Sequence, residues 1–189
     1  MSLDFNKYKP KNFDLITDGE IATVQMTVRP GKAGEGGWLR RAKDGASVHL
    51  YCEFVVIDGS FVRRRFWTLF TVAGTTKGHH EAADISGRKL RTILESTRDI
   101  RPDDKSDKAN EARRVTSYGD FDGLRFIARI AVEKGKNGHE DKNVLDRAIT
   151  PNEKAWHAVK QEPKPTTAAP ATAKPVSTPA PIPRPQWGR

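Results

Sequence analysis

Apolar and polar residues alternate through EIATVQMTVR, residues 20 to 29, with Ala22, Val24, Met26 and Val28 on one face and Thr23, Gln25, Thr27 and Arg29 on the other. A period of two predicts a strand with one face in a core and one in solvent. The alternation recurs in SVHLYCEFVVI (47–57), which aligns Val48, Leu50, Cys52, Phe54 and Val56, and in LRFIARIAVE (124–133), which aligns Leu124, Phe126, Ala128, Ile130 and Val132. Phe61 to Val72 predicts another strand behind the turn residues Asp58, Gly59 and Ser60, and EDKNVLDRAI (140–149) a shorter one that Pro151 ends. Between Gly74 and Ile100 the period lengthens: Leu90, Ile93, Leu94 and Thr97 fall at helical spacing behind a capping Ser86, and a polar helix over 106–114 follows.

The order is strand, strand, strand, helix, strand, strand, with a long loop after the first strand and a short basic loop between the last two. It predicts a mainly β domain with one main helix, arranged like the OB-fold, a five-stranded Greek-key barrel. In such barrels the second and third strands and the two loops beside them bind oligonucleotides or oligosaccharides.

The segment FVRRRFWTLF (61–70) places Arg63, Arg64 and Arg65 inside an apolar strand. A three-residue loop at 58–60 pairs Ile57 with Phe61, and so sets Val56 against Val62, Cys52 against Phe66 and Val48 against Phe70 on a core face. The other face then carries Val55 beside Arg63, Glu53 beside Arg65, Tyr51 beside Trp67 and His49 beside Leu69. A two-residue loop would instead press Cys52 on Arg65 and Phe54 on Arg63, driving charge into the core. In the favoured register Arg64 points the opposite way, toward Phe54, and has to snorkel to an edge or find a carboxylate. Rings flanked by guanidinium groups on an open sheet suit single-stranded nucleic acid, whose bases stack on the rings while its phosphates are neutralised. The competing reading is that Tyr51 and Trp67 are covered by the helix or another subunit and that Arg65 only pairs with Glu53.

The loop PGKAGEGGWLRRAKDGA (30–46) adds five glycines, Trp38, Arg40, Arg41 and Lys43 to the same interface, as a flexible flap. It matches neither the P-loop nor the dinucleotide-binding spacing. Lys134 and Lys136, in the loop between the last two strands, bound the groove on its other side.

Charge reinforces this picture. Lysine and arginine number 33 against 24 acidic residues, for a net charge of +9 that points to a polyanionic partner. From Glu162 onward the chain holds eight of its twelve prolines and little apolar bulk, so residues 159–189 read as a disordered Pro/Ala/Thr-rich tail behind a domain over 1–158. The single cysteine, Cys52, excludes an intrachain disulfide, and neither a signal peptide nor a membrane-length apolar run is present. These features suit a cytoplasmic protein without a membrane role, and they leave a homo-oligomer open.

Candidate catalysis is weak. Asp103, Glu140 and Lys142 echo a nuclease pattern, and Asp120 with Asp122 could hold Mg²⁺, but both groups sit in turn-like sequence. His79, His80 and Glu81 are adjacent rather than at helical ligand spacing. The expectation is therefore no enzyme, no metal and no cofactor, with a metal-dependent nuclease as the distant alternative.

MSLDFNKYKPKNFDLITDGEIATVQMTV, GTTKGHHEAADISGRKLRTILES and DFDGLRFIARIAVEKGKNGHEDKNVLDRAITPNEKAWH together resemble a family of phage and prophage proteins from replication and recombination gene blocks. The resemblance spans residues 1–157 and carries no active-site motif. It implies a single-stranded DNA-binding or recombination accessory role in the bacterial host cytoplasm, with phage replication or recombination proteins as partners of the tail. The chain ends PRPQWGR, which is basic where bacterial single-stranded DNA-binding proteins commonly end in an acidic tip. The rival to DNA binding is a protein-interaction subunit that docks on a recombinase through its aromatic face.

Overall fold

Strand β1 (Ile21–Val28) lies antiparallel between β3 (Ser47–Val56) and β5 (Arg125–Glu133), because its apolar face finds matching apolar faces on both sides. A computed structural model describes residues 14–136 and 138–162. One antiparallel sheet runs in the order β2 (Leu39–Arg41), β3, β1, β5, β6 (Lys142–Ala148), with β4 (Arg65–Gly74) on the other edge of β3. Strand β2 pairs with residues 48–50 of β3 and β1 with residues 52–56, so the two short partners share one edge of the longer strand.

The far side of β4 packs on β6, where the Thr68 hydroxyl accepts a hydrogen bond from the Leu145 N–H at 2.9 Å. Helix α1 (Lys77–Thr97) packs on β4, β5 and β6 and buries Leu90, Ile93 and Leu94. Thr76 caps it by accepting from the His79 N–H, so the helix begins nine residues before the Ser86 cap expected from sequence; Ser86 is buried in its interior. The short helix α2 (Asp107–Ala112) is capped by Ser106.

The core gathers the inward residues of every long strand. Phe54 stacks on Phe66 with ring centroids 5.1 Å apart and meets Phe70 and Phe126 edge-on at 6.5 and 6.1 Å. Val24, Met26, Leu50, Cys52, Val56, Ile130 and Leu145 fill the space around these rings. Cys52 is sealed there, and burial pushes its thiol far above the usual range, so it acts as a small apolar residue.

From Arg65 onward the β3–β4 hairpin keeps the expected faces but not the expected partners, while Val62, expected on the core face opposite Val56, stands 50% exposed in the turn before β4. Phe54 opposes Phe66, Glu53 opposes Trp67 and Tyr51 opposes Leu69, a slip of two residues from the register read in the sequence. A slip of two leaves every side chain on its own face, whereas a slip of one would reverse them all. The cause is a longer connection. Asp58 turns away to accept from the Thr23 backbone and hydroxyl, and the hairpin closes only where Val56 bonds to Arg63 and Arg64, with Arg63 N–H to Val56 O at 2.8 Å and Val56 N–H to Arg64 O at 2.9 Å. Arg63 sits there in left-handed backbone, at φ 69°. Arg63 is thus a turn residue rather than a strand partner of Val55.

Among the described residues no helix is long and apolar enough to cross a membrane. Residues 163–189, including Trp187 and the basic PRPQWGR end, lie outside the described residues, as do residues 1–13.

Candidate nucleic-acid interface

The outward face of β3 presents His49, Tyr51, Glu53 and Val55, and that of β4 presents Arg65, Trp67, Leu69 and Thr71. Trp67 is 44% exposed and Leu69 50%, so the aromatic surface is open rather than sealed under α1. Tyr51 is half-buried and stands diagonally from Trp67.

Strand β2 was not foreseen, and it changes the role of the long loop. By pairing Leu39 with Leu50 and Arg40 with His49, it sends Leu39 into the core and Arg40 onto the outer face. The Arg40 guanidinium lies over the Tyr51 ring, 4.7 Å from its centroid. This cation–π contact fixes a flat cationic platform on the sheet. Arg41 and Lys43 are exposed beyond it, Lys43 in the turn that returns the chain to β3.

Trp38 behaves differently from its expectation as a mobile stacking ring. It packs half-buried against the core, and a Cβ on Gly119 would come within 2.6 Å of its ring and one on Gly36 within 2.8 Å. Both positions need glycine because the indole fills the space a side chain would take. Trp38 therefore anchors the loop to the body of the protein.

Glu53 organises the cations. Its side chain is 5% exposed, and it takes Arg65 Nη1 at 2.8 Å on one oxygen and Arg29 Nε at 2.9 Å on the other, with Arg29 Nη2 also in contact. Burial pushes the Glu53 carboxyl up, but the Arg29 hydrogen bond, the charges of Arg29 and Arg65 and the adjacent Trp67 outweigh it and hold the group below its ordinary range. The carboxylate thus stays ionised and fixes two guanidinium groups that keep 47% and 58% of their side-chain surface exposed. Arg29 was visible on the outer face of the β1 pattern but not counted in the interface. His49, by contrast, is pushed toward the neutral form by burial and by His79, against a small opposing pull from Asp44. It hydrogen-bonds Ser47 at 2.8 Å and adds no fixed charge.

Arg63, Arg64 and Arg65 line one hollow of about 410 Å³ together with Trp67, Asp14, Leu15 and Asn143. Across the bulge Val56 faces both Arg63 and Arg64, and Arg64 is half-buried beside this hollow. A second hollow of about 310 Å³ continues from Trp67 and Leu69 to Lys89, Glu133 and Lys142. Lys134 and Lys136 lie one step further, around a separate hollow with Glu140 and Lys142, and Lys134 is committed to Asp141 at 2.6 Å. They are the outermost of the candidate residues.

On β5, Arg125 donates to Gln25 and meets Glu162 at 2.6 Å, while the Gln161 side chain bonds the Arg125 backbone twice, at 2.9 and 2.7 Å. Gln161 and Glu162 are thereby held at the start of β5, Gln161 on its backbone edge and Glu162 on the Arg125 side chain. Asp120 and Asp122 have structural partners: Asp120 caps the turn at Thr116–Ser117, and Asp122 accepts from the Val28 N–H at 2.9 Å. No cluster of potential metal ligands occurs among the described residues. No protein-family model matches the chain, and no curated protein matches it significantly.

Proposed function

We propose that the chain binds single-stranded DNA without strong sequence preference, along the outer face of β3 and β4, in a phage-type replication or recombination setting. The observation that carries the reading is an exposed Trp67 set between two cationic groups, Arg63 to Arg65 on one side and the Arg40–Tyr51 platform on the other. Bases stack on Trp67 and on the Arg40 plane, and the phosphates between them meet guanidinium groups already held by Glu53 and Tyr51. Because those groups are fixed before binding, less side-chain freedom is lost on association.

We also propose that the sheet is an OB-like Greek-key barrel. The pairing of β1 with both β3 and β5, of β3 with β4, and the approach of β4 to β6 at Thr68 and Leu145 support that arrangement. It makes the loop holding β2 and the loop at Lys134 the two walls of one groove.

A second reading draws on Val62, Trp67 and Leu69, three large apolar side chains each 44% to 50% exposed along the hairpin. They suit a protein partner such as a recombinase subunit. The deciding experiment is a tryptophan-fluorescence titration with single-stranded and duplex DNA at two salt concentrations. Saturable quenching by the single strand, weakened by salt, supports DNA binding; no response to either nucleic acid leaves the protein-docking reading.

A further inference from the structure

We infer that Lys89 of α1 forms a phosphodiester subsite at the junction of β4 and β6, next to Trp67 on the path of the strand. The assignment rests on the proposed DNA-binding face and extends it across the barrel onto the helix.

The junction is built around one residue. Leu145 pairs with β5 on one side, and on the other both of its backbone groups are taken by side chains. The Thr68 hydroxyl accepts from its N–H at 2.9 Å, and its carbonyl accepts from Lys89 Nζ at 2.8 Å. The second bond fixes the Lys89 ammonium in the hollow of about 310 Å³ that Trp67 and Leu69 also line. An ammonium has three donors, and the carbonyl takes one of them.

The charges around this amine are matched elsewhere. Glu133 lies 3.2 Å from Lys142, and Asp146 lies 3.6 Å from Arg129. Among the described residues Lys89 has a neutral carbonyl in bonding contact and no carboxylate. Three cations against two carboxylates leave one positive charge, which one internal phosphodiester balances. Burial pushes the half-buried Lys89 amine below its ordinary range against the opposing pull of Asp146 and Glu133, so these carboxylates do not make up for its lost hydration.

The rest of the hollow fits a nucleotide unit. Trp67 and Leu69, 44% and 50% exposed, form its apolar side, and Lys89 and Lys142 its cationic side. A base stacked on Trp67 leaves its sugar on Leu69 and the adjoining phosphate on Lys89. A lysine ammonium binds phosphate as a compact point charge and needs no forked geometry. An acidic peptide would use the amine but not the exposed ring beside it, so the pairing of the two favours a nucleic-acid strand.

The test uses the full chain and three variants. Lys89→Met should weaken single-strand binding about fivefold at about 0.1 M salt and flatten the log–log salt slope by about 0.7, the share of one phosphate added to that of the arginines. Lys89→Arg should restore the slope. Lys77→Met, which removes the same charge from the first turn of the same helix, should keep it. A second measurement, independent of how the variants fold, is the rate of amine acetylation read by mass spectrometry. Saturating single strand should slow acetylation of Lys89 severalfold and leave Lys77 unchanged, whereas polyglutamate should protect neither. An unchanged slope in Lys89→Met, an equal loss in Lys77→Met, or acetylation of Lys89 undiminished by bound strand overturns the subsite and leaves DNA binding in place. Protection of Lys89 by polyglutamate as strong as that by the strand reassigns the amine to acidic protein partners and also overturns it. Failure of the unaltered chain to bind any strand removes the subsite and the proposed function together.

Discussion

Trp38 and Trp67 occupy similar sequence settings, each a tryptophan with arginines close by, and the structure gives them opposite placements. Trp38 is wedged between Gly36 and Gly119 and packs on the core. Trp67 stands on a regular strand with nearly half its surface open and arginines along the hollow beside it. The difference lies in what the backbone does around each ring. Glycines let the loop collapse on its own indole, while the pleat of β4 holds Trp67 outward against Glu53. Aromatic and basic composition therefore yields an open aromatic surface only where the backbone prevents the ring from burying itself.

Salt should act most strongly on that contrast. If Arg40, Arg63, Arg64 and Arg65 each neutralise one phosphate, affinity for single strands should fall with a log–log slope of about −2.8, about fiftyfold between roughly 50 and 200 mM salt. The stability of the Trp38 anchor should barely change over that range. Next in size, Trp67→Ala should weaken binding by about 2 kcal/mol, on the order of thirtyfold, with an unchanged melting temperature. Trp38→Ala should do the reverse, costing about 2 kcal/mol of stability by emptying a packed site while shifting affinity less than about twofold. Equal losses of affinity in both variants would erase the distinction between the two rings.

A smaller effect belongs to Glu53. Its carboxyl lies below its ordinary value near 4.5 in the folded chain, so its contribution to stability is complete above that value and is lost as pH falls through the depressed one. Glu53→Gln should therefore flatten the decline of melting temperature below about pH 4.5, at a cost of about 1 kcal/mol near neutrality, since both arginine partners are half exposed. The smallest change is expected of Lys134→Ala with Lys136→Ala. Lys134 is already paired with Asp141 and both line a hollow separate from the one at Trp67 and Lys89, so binding should weaken by less than about threefold.

Much of the fold was legible because a two-residue period is a local signal. The five long strands and the outward placing of Tyr51, Arg65 and Trp67 follow from alternation, and the main helix from the longer spacing of Leu90, Ile93 and Leu94. What stayed hidden depended on partners far along the chain. Asp58 looked like a turn residue but bonds Thr23, 35 positions away, and that lengthened the hairpin and moved its register by two. Trp38 looked mobile because Gly119, which receives it, gives no sign of doing so in sequence. The three-residue β2 is too short to show a period, so Arg40 read as a loop cation rather than a strand residue lying on Tyr51. Ser86 met the rule for a cap, yet Thr76 and the residues after it continue the helix upstream. Arg29 and Arg65 were each readable as outward, but their joint hold on Glu53 required the sheet to be assembled.

The four tryptophan indole N–H groups offer the most direct test, because Trp38, Trp67, Trp156 and Trp187 each give one resolvable signal in a proton–nitrogen NMR spectrum. On titration with a single strand of about 16 nucleotides, the Trp67 signal should shift progressively and saturate, while those of Trp38 and of Trp156, which donates to Ser96 O at 3.2 Å, stay in place. A Trp67 signal that never moves while the strand binds elsewhere, or one that moves no more than Trp38, would contradict the interface described for β3 and β4.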